Sequence, residues 1–344
     1  MSLDNLEHAL DDSANDAAPP RRRRRRRGLI VLAVLGVLIA IILGVVGYYI
    51  NSLNKALDSI KREETFVPRD YENRPTPPPV PNPAMNILLM GSDSRGAGDH
   101  GRSDAIMWVH VSGDRKDVYI TSFTRDMWVD IPGHGKGKIN AAYAYGGIQL
   151  QVQTLETLIG ARVDHVALVD FEGFIKLTEL LGGVTVNNPY ASKEKGKHGE
   201  VYTWPKGEVT VAGEEALAFV RQRYALPTGA WGRAERQREV IGAIVWRMTR
   251  PDVLANPIRF DETVSAVGKT ITVDANVTNQ LVYDTALSLR LDGRQSIHLL
   301  QAPIKGGGKA GDQYIDIPNY EQLNELGTAL REDKMAAYTA KYPR

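Results

Sequence analysis

The chain has 344 residues, with 42 Lys and Arg against 41 Asp and Glu, a formal net charge of +1, and no cysteine. Such a balance excludes a bulk nucleic-acid binder and a strongly acidic protein, and the missing thiols exclude disulfides and cysteine redox chemistry. The length accommodates one large domain of about 200 to 250 residues together with appendages.

The charge is unevenly placed. Residues 1–20 are polar, acidic and alanine-rich, which predicts a disordered tail with too few large apolar side chains to pack. An unbroken arginine run from Arg21 to Arg27 follows, and residues 28–50 behind it carry no charged side chain. About 20 apolar residues in a helix cross the hydrocarbon core of a bilayer, so 28–50 is expected to be a single transmembrane helix. The arginines would hold residues 1–27 in the cytoplasm, with Tyr48 and Tyr49 at the outer interface and all later residues extracytoplasmic. A cleaved signal peptide would have a shorter apolar core and a small-residue cleavage site, so an uncleaved signal anchor in the cell membrane is expected. Because a span abuts it, the arginine run reads as a topology signal and not as a nucleic-acid patch. Residues 51–84 are expected to begin as a helix and to continue as a semi-rigid proline-rich linker, RPTPPPVPNP.

The folded domain is expected over 85–335, with 336–344 as a tail. Its first apolar run, residues 87–90, reads as a buried strand. Residues 106–112, 118–123, 166–169, 184–186 and 296–301 read as further strands. Residues 149–159, 174–180, 213–222, 233–248, 279–291 and 320–331 read as helices. This alternation predicts an α/β fold, a three-layer α-β-α sandwich with helices on both faces of a central mixed sheet.

Three segments carry chemistry. Residues 86–104, NILLMGSDSRGAGDHGRSD, run from the first strand into a glycine-rich loop that offers Asp93 and Asp104 with Arg95 and Arg102. Carboxylates that hold a hard cation and guanidiniums that fork onto phosphate oxygens suggest a phosphate-and-metal site; a solvated loop with two ion pairs has the same composition. Arg95 has the weakest case for facing a ligand. In SFTRD, Arg125 and Asp126 end a strand, where ligands of open α/β sheets bind. The following DIPGHGKGKIN lacks the Ser or Thr of a phosphate-binding loop, since Ile139 follows Lys138; it reads either as a mobile basic lid with Lys138 and Asn140 or as a glycine-rich turn.

In the third segment, AFVRQRYALPTGAWGRAERQREV, Arg221 and Arg223 lie at a helix end, and Arg233, Arg236 and Gln237 open the next helix. Arginines gathered at a helix N-terminus repel one another unless an anion compensates, which argues for a polyphosphate ligand. Arg238 is better accounted for on a solvated face, paired with Glu235 or Glu239. The apolar helices 174–181 and 240–248 fit either the lining of a lipid pocket or ordinary core packing. His110 and His165 read as core or surface residues, and Ser92 and Ser94 lack the context of a serine hydrolase nucleophile.

NILLMGSDSR, GRSDAI, SFTRDMWVDIPG, KINAAYAYGG, LGGVTV, GEEALAFVRQRY and GRAERQREVI together resemble the LytR-CpsA-Psr family of membrane-anchored cell-wall glycopolymer transferases, over residues 86–241. The resemblance implies transfer of a glycopolymer from a polyprenyl-pyrophosphate donor onto a peptidoglycan acceptor, forming a phosphodiester. It implies that Asp93 and Asp104 hold Mg²⁺ (or Mn²⁺), and that Arg95, Arg102, Arg125, Arg221, Arg223 and Arg233, with Arg236 and Gln237 beside them, cradle the pyrophosphate. Either aspartate would take the proton of the attacking hydroxyl. In the loop before GRAERQ, where the family has an acid, this chain reads Gly229, Ala230 and Trp231, which puts the acceptor half of that mechanism in question. A pyrophosphatase of lipid-linked pyrophosphates and a non-catalytic wall-polymer-binding regulator are the alternatives. No nucleic-acid partner is implied.

Overall fold

The computed structural model describes residues 22–77, 84–92, 103–223, 226–248 and 250–343. The chain divides into two compact units, residues 1–50 and 51–344. The helix α1 (Arg22–Ser59), which runs from the first unit into the start of the second, includes Leu35–Ser59, a stretch long and apolar enough to cross a membrane, with mean hydropathy 2.0. Its Leu38, Ile42 and Leu43 are exposed, as in a helix that is apolar all round.

In the second unit α1 is followed by β1 (Lys61–Glu63), β2 (Met85–Ser92), β3 (Ser103–Val111), β4 (Val118–Phe123), the hairpin β5 (Trp128–Ile131) and β6 (Gly135–Lys138), and α2 (Ile139–Ile159). Next come β7 (His165–Asp170), α3 (Phe171–Leu180), β8 (Val184–Asn188), β9 (Ser192–Lys195), β10 (Val201–Trp204), β11 (Gly207–Val211), α4 (Gly213–Arg221) and α5 (Ala230–Met248). The chain continues through α6 (Pro251–Leu254), α7 (Pro257–Thr270), β12 (Ile271–Asp274), α8 (Asn279–Ser288), β13 (Ile297–Gln301), β14 (Ile304–Ala310), β15 (Gln313–Pro318), α9 (Tyr320–Arg331) and α10 (Met335–Lys341).

Among the described residues a seven-stranded sheet of order β1-β12-β7-β2-β3-β4-β13 forms the centre. It is mixed: β1–β12, β7–β2 and β4–β13 are parallel pairs, and the others antiparallel. Strand β3 shows why both faces are covered. Its Ile106 and Trp108 pack with Leu88, Met90 and Tyr119 under α2, α9 and α10, while Met107 and Val111 pack with Val118 and Ile120 under α5. Every second side chain thus enters a different core, and β3 and β4 read as continuous apolar runs. Burial of Trp108 leaves its indole needing an acceptor, which Asn86 Oδ1 supplies at 3.0 Å; the same oxygen lies 2.8 Å from His110 Nδ1. Gly327 lets α9 lie directly on the end of α2, since a Cβ there would collide with Ile159 O.

The expected α/β layering with a central mixed sheet is present. Within the expected helix and linker of 51–84, residues 61–63, Tyr71 and Arg74 pack on the folded domain. Strand β1 is an edge of the central sheet, and the Arg74 guanidinium meets the wholly buried Glu156 at 2.9 Å, with Tyr71 donating to the same carboxylate. A three-residue polar strand, KRE, carries no apolar signal by which a sequence pattern could reveal it. Within the expected tail of 336–344, Tyr338 of α10 is buried in the core. Helix α2 begins ten residues before the expected 149 and is broken by non-helical Gly146 and Gly147, which mask its first half in a periodicity reading.

Candidate functional site

Of the two readings open for the apolar helices 174–181 and 240–248, a pocket is present beside them. Leu89, Gly91, Ala105 and Met107 from the sheet face Phe171 and Phe174 of α3, Leu217 and Val220 of α4, and Val240 and Ile241 of α5 around about 870 Å³ of space, its mouth included. Arg221, Arg233 and Gln237 are the polar members of this lining. Helix α3 starts directly after β7 because the Asp170 carboxylate accepts from Gly173 N at 2.7 Å, which sets Phe171 at the mouth.

A polar cleft adjoins the cavity and shares Phe171, Leu217, Arg221 and Arg233 with it. Arg125, Arg223 and the lysines Lys195 and Lys197 complete its cations, against Glu172, Glu194 and Glu214. Six cationic side chains against three carboxylates make the cleft a place for an anion. Arg221, the last residue of α4, lies over the Phe171 ring at 4.9 Å, so one aromatic side chain borders the hydrocarbon space and orients a cation at once. Arg233 is in the first turn of α5, whose N-terminal amides add to the positive field.

Asp126 organises the opposite wall. Its carboxylate meets Lys138 Nζ at 2.8 Å, Arg223 at 3.5 Å and Arg125 Nε at 3.8 Å. One buried carboxylate therefore holds three cations that would otherwise repel, and keeps two of the cleft arginines at its rim. Asp126 was legible as part of SFTRD, but its role was not. The arginines it holds are far apart in sequence.

Of the expected pyrophosphate ligands, Arg125, Arg221, Arg223, Arg233 and Gln237 are brought together here. Arg236 is a correction. It is fully buried, donates to Asn188 Oδ1, Gln222 Oε1, Tyr190 O and Ser192 Oγ, and stacks over Phe219 at 4.1 Å and Trp204 at 5.4 Å. Burial pushes its guanidinium down to about 10, still charged at neutral pH. Arg236 is one turn from Arg233 but about 100° round the helix from Gln237, on a flank of α5 that Asn188 of β8 and Ser192 of β9 cover. Arg238 is buried as well, and bonds Ser122 Oγ and Gln301 Oε1 instead of lying on a solvated face.

The lid is corrected to a packed hairpin. Val129 and Ile131 of β5 are anchored in the core, Lys138 is ion-paired to Asp126, and Asn140 donates its backbone N–H to Arg125 O at 3.4 Å. Asp93, Arg95 and Arg102 lie outside the described residues. Asp104 is the second residue of β3, immediately before Ala105 of the cavity wall. Among the described residues no group of three or more His, Asp or Glu could hold a metal. His110 and His165 are structural, paired with Asp333 and Asp274.

A cationic cleft opening onto an apolar cavity is suited to an amphiphile with an anionic head and a hydrocarbon tail. The chain belongs to the LytR_cpsA_psr family, whose profile matches residues 46–332. It is 32% identical over 251 residues to the polyisoprenyl-teichoic acid–peptidoglycan teichoic acid transferase TagU of Bacillus licheniformis, covering 72% of this chain and 77% of that one. Among solved structures it is similar to TagV of B. subtilis (TM-score 0.63, 27% identity, 74% of this chain and 98% of that one). It is also similar to TagT bound to LIIa-WTA (TM-score 0.57, 27% identity, 73% and 91%).

Proposed function

We propose that this protein transfers a glycopolymer from a polyprenyl-pyrophosphate carrier to a peptidoglycan hydroxyl, leaving a phosphodiester. The observation that carries the reading is the shared border of cavity and cleft, where Arg221, Arg233 and Phe171 touch both spaces. A prenyl tail in the cavity places its pyrophosphate among Arg221, Arg233, Arg125 and Arg223. The related teichoic acid transferase TagU, and TagT bound to LIIa-WTA, support the same substrate class.

In this reaction the hydroxyl oxygen of the acceptor attacks the glycan-bearing phosphorus. The bond from that phosphorus to the bridging oxygen breaks, and polyprenyl phosphate leaves with the bridging oxygen. The hydroxyl proton passes to Asp93 or Asp104. Phosphoryl transfer is catalysed chiefly by positioning and by neutralising charge on the transferring group, which fixed arginines do without reorganisation. Asp93 and Asp104 would supply carboxylate oxygens to Mg²⁺ (or Mn²⁺), and the bound ion would supply further neutralisation of the pyrophosphate. In this reading residues 1–27 are cytoplasmic, the apolar helix is a single-pass anchor, and the second unit works outside the membrane.

The test uses the full chain in detergent with a polyprenyl-pyrophosphate glycan. Polyprenyl phosphate should appear only when a peptidoglycan acceptor is added, and chelation of divalent cations should stop it. Equal release without acceptor would establish a pyrophosphatase instead.

A further inference from the structure

A third groove adjoins the arginine cleft. It shares Arg223 with the cleft, and its walls are the turn Pro227–Trp231 and the hairpin β14–β15, around about 1230 Å³ of open space. Its composition differs from the cleft. Gly307 and Gly308 leave one wall flat, Tyr314 stands 71% exposed with Lys309 Nζ 5.1 Å from its ring centre, and Asp316 and Trp231 form the base.

Asp316 is the informative residue. It is only 6% exposed, its backbone N–H donates to Asp126 O at 2.9 Å, and its Oδ1 accepts from Trp231 Nε1 at 2.8 Å. Its other oxygen, Oδ2, is buried and meets no hydrogen-bond donor. A buried carboxylate oxygen without a donor is costly and rare, and calls for a partner that arrives from outside. The groove that Asp316 lines is the route by which one would arrive. A second anion is not suited to it, since the carboxylate would repel it. Hydroxyl groups are suited, because each can donate to Oδ2, and a pyranose ring stacks on an exposed aromatic ring such as Tyr314.

We propose that this groove is the subsite for the acceptor glycan strand, with Asp316 accepting a hydrogen bond from a sugar hydroxyl and Tyr314 stacking on a ring. The assignment rests on the transferase reading for the identity of the glycan, and on Arg223 for the continuity between the two sites. Strand β15 reaches the turn before α5 from a distant part of the sequence. It thus brings a carboxylate beside Ala230 and Trp231, where the local sequence has none.

The test is done on the full chain in detergent with a polyprenyl-pyrophosphate glycan and a peptidoglycan glycan-strand fragment. Asp316→Asn and Tyr314→Ala should each raise the KM for the fragment, by on the order of 10- to 100-fold for Asp316→Asn, with donor affinity and kcat at saturating fragment little changed. Binding of the fragment alone, followed by calorimetry, should weaken in parallel. Unchanged fragment KM and affinity in both variants overturns the subsite while leaving the transferase reading intact. An equal loss of donor affinity also overturns it, by assigning the groove to the donor. If the wild-type chain fails to bind donor but binds the fragment through Asp316, the transferase reading fails and the glycan subsite stands. Tyr314 is exposed and its truncation does not disturb the core, so that variant decides the matter should Asp316→Asn fold poorly.

Discussion

Replacing Arg236 by Met separates a structural arginine from its neighbours in the same motif. The substitution removes the donors to Asn188 Oδ1 and Gln222 Oε1, both inside the protein. Each orphaned acceptor costs about 1 to 3 kcal/mol, giving about 2 to 6 kcal/mol for the pair. Against this, the buried guanidinium no longer has to be held out of water, which offsets part of the loss, and a methionine packs acceptably over Phe219 and Trp204. The net expectation is a loss of about 2 to 4 kcal/mol. For a unit of this size that corresponds to a Tm lowered by about 4 to 8 °C, since each kcal/mol shifts such a domain by about 2 °C. Thermal unfolding followed by circular dichroism reads the shift, and donor affinity measured well below the new Tm should stay near wild type. A variant with unchanged Tm and abolished donor binding would refute the reasoning and return Arg236 to the pyrophosphate site.

Arg125→Ala and Arg221→Ala should show the opposite pattern, with Tm little altered and donor affinity down by about 10- to 100-fold each, from the loss of a charge-assisted contact of about 1.5 to 3 kcal/mol. Ala105→Phe projects a ring into the apolar cavity, so long-chain prenyl donors should weaken by roughly 10-fold, the equivalent of about two buried methylenes, while short-chain donors are spared. Burial raises the Asp164 carboxyl above its ordinary 3.8, although Asn86 N donates to it at 2.8 Å. A raised folded pKa means that stability falls as pH rises from the unfolded value through the folded one; Asp164→Asn should flatten that slope in urea midpoints taken between about pH 4 and pH 7, without loss at neutral pH.

How much of this was legible in the sequence depended on how local each signal was. Strand β4 and helix α9 appear with the expected bounds, because an apolar run between turn residues and a well-separated amphipathic helix are decided by neighbours in the chain. The arginine cluster was legible as residue types at helix ends. Its membership was not, since Arg233 and Arg236 are both near the start of α5 and only the packing of β8 and β9 against one face turns Arg236 inward. Strand β1, the placement of Asp316 and the counter-ion role of Asp126 were hidden for a common reason. Each depends on a partner far away in sequence: β12 for β1, Asp126 and Trp231 for Asp316, and Arg223 for Asp126.

Asp126 also explains how one fold keeps three spaces in register. Its side chain holds Arg125 and Arg223 at the cleft, and its carbonyl fixes the backbone of Asp316 at the base of the outer groove. Across the cleft, Phe171 ties Arg221 to the edge of the apolar cavity. Cavity and cation cleft thus share Phe171, Leu217, Arg221 and Arg233, and cleft and groove share Arg223, so a displacement of α3 would misalign the first two together. Transfer between a lipid-borne donor and an insoluble acceptor requires such adjoining spaces, because the reacting phosphorus must sit where the first two spaces meet the third, and misplacement of about 1 Å lowers rates by about two orders of magnitude.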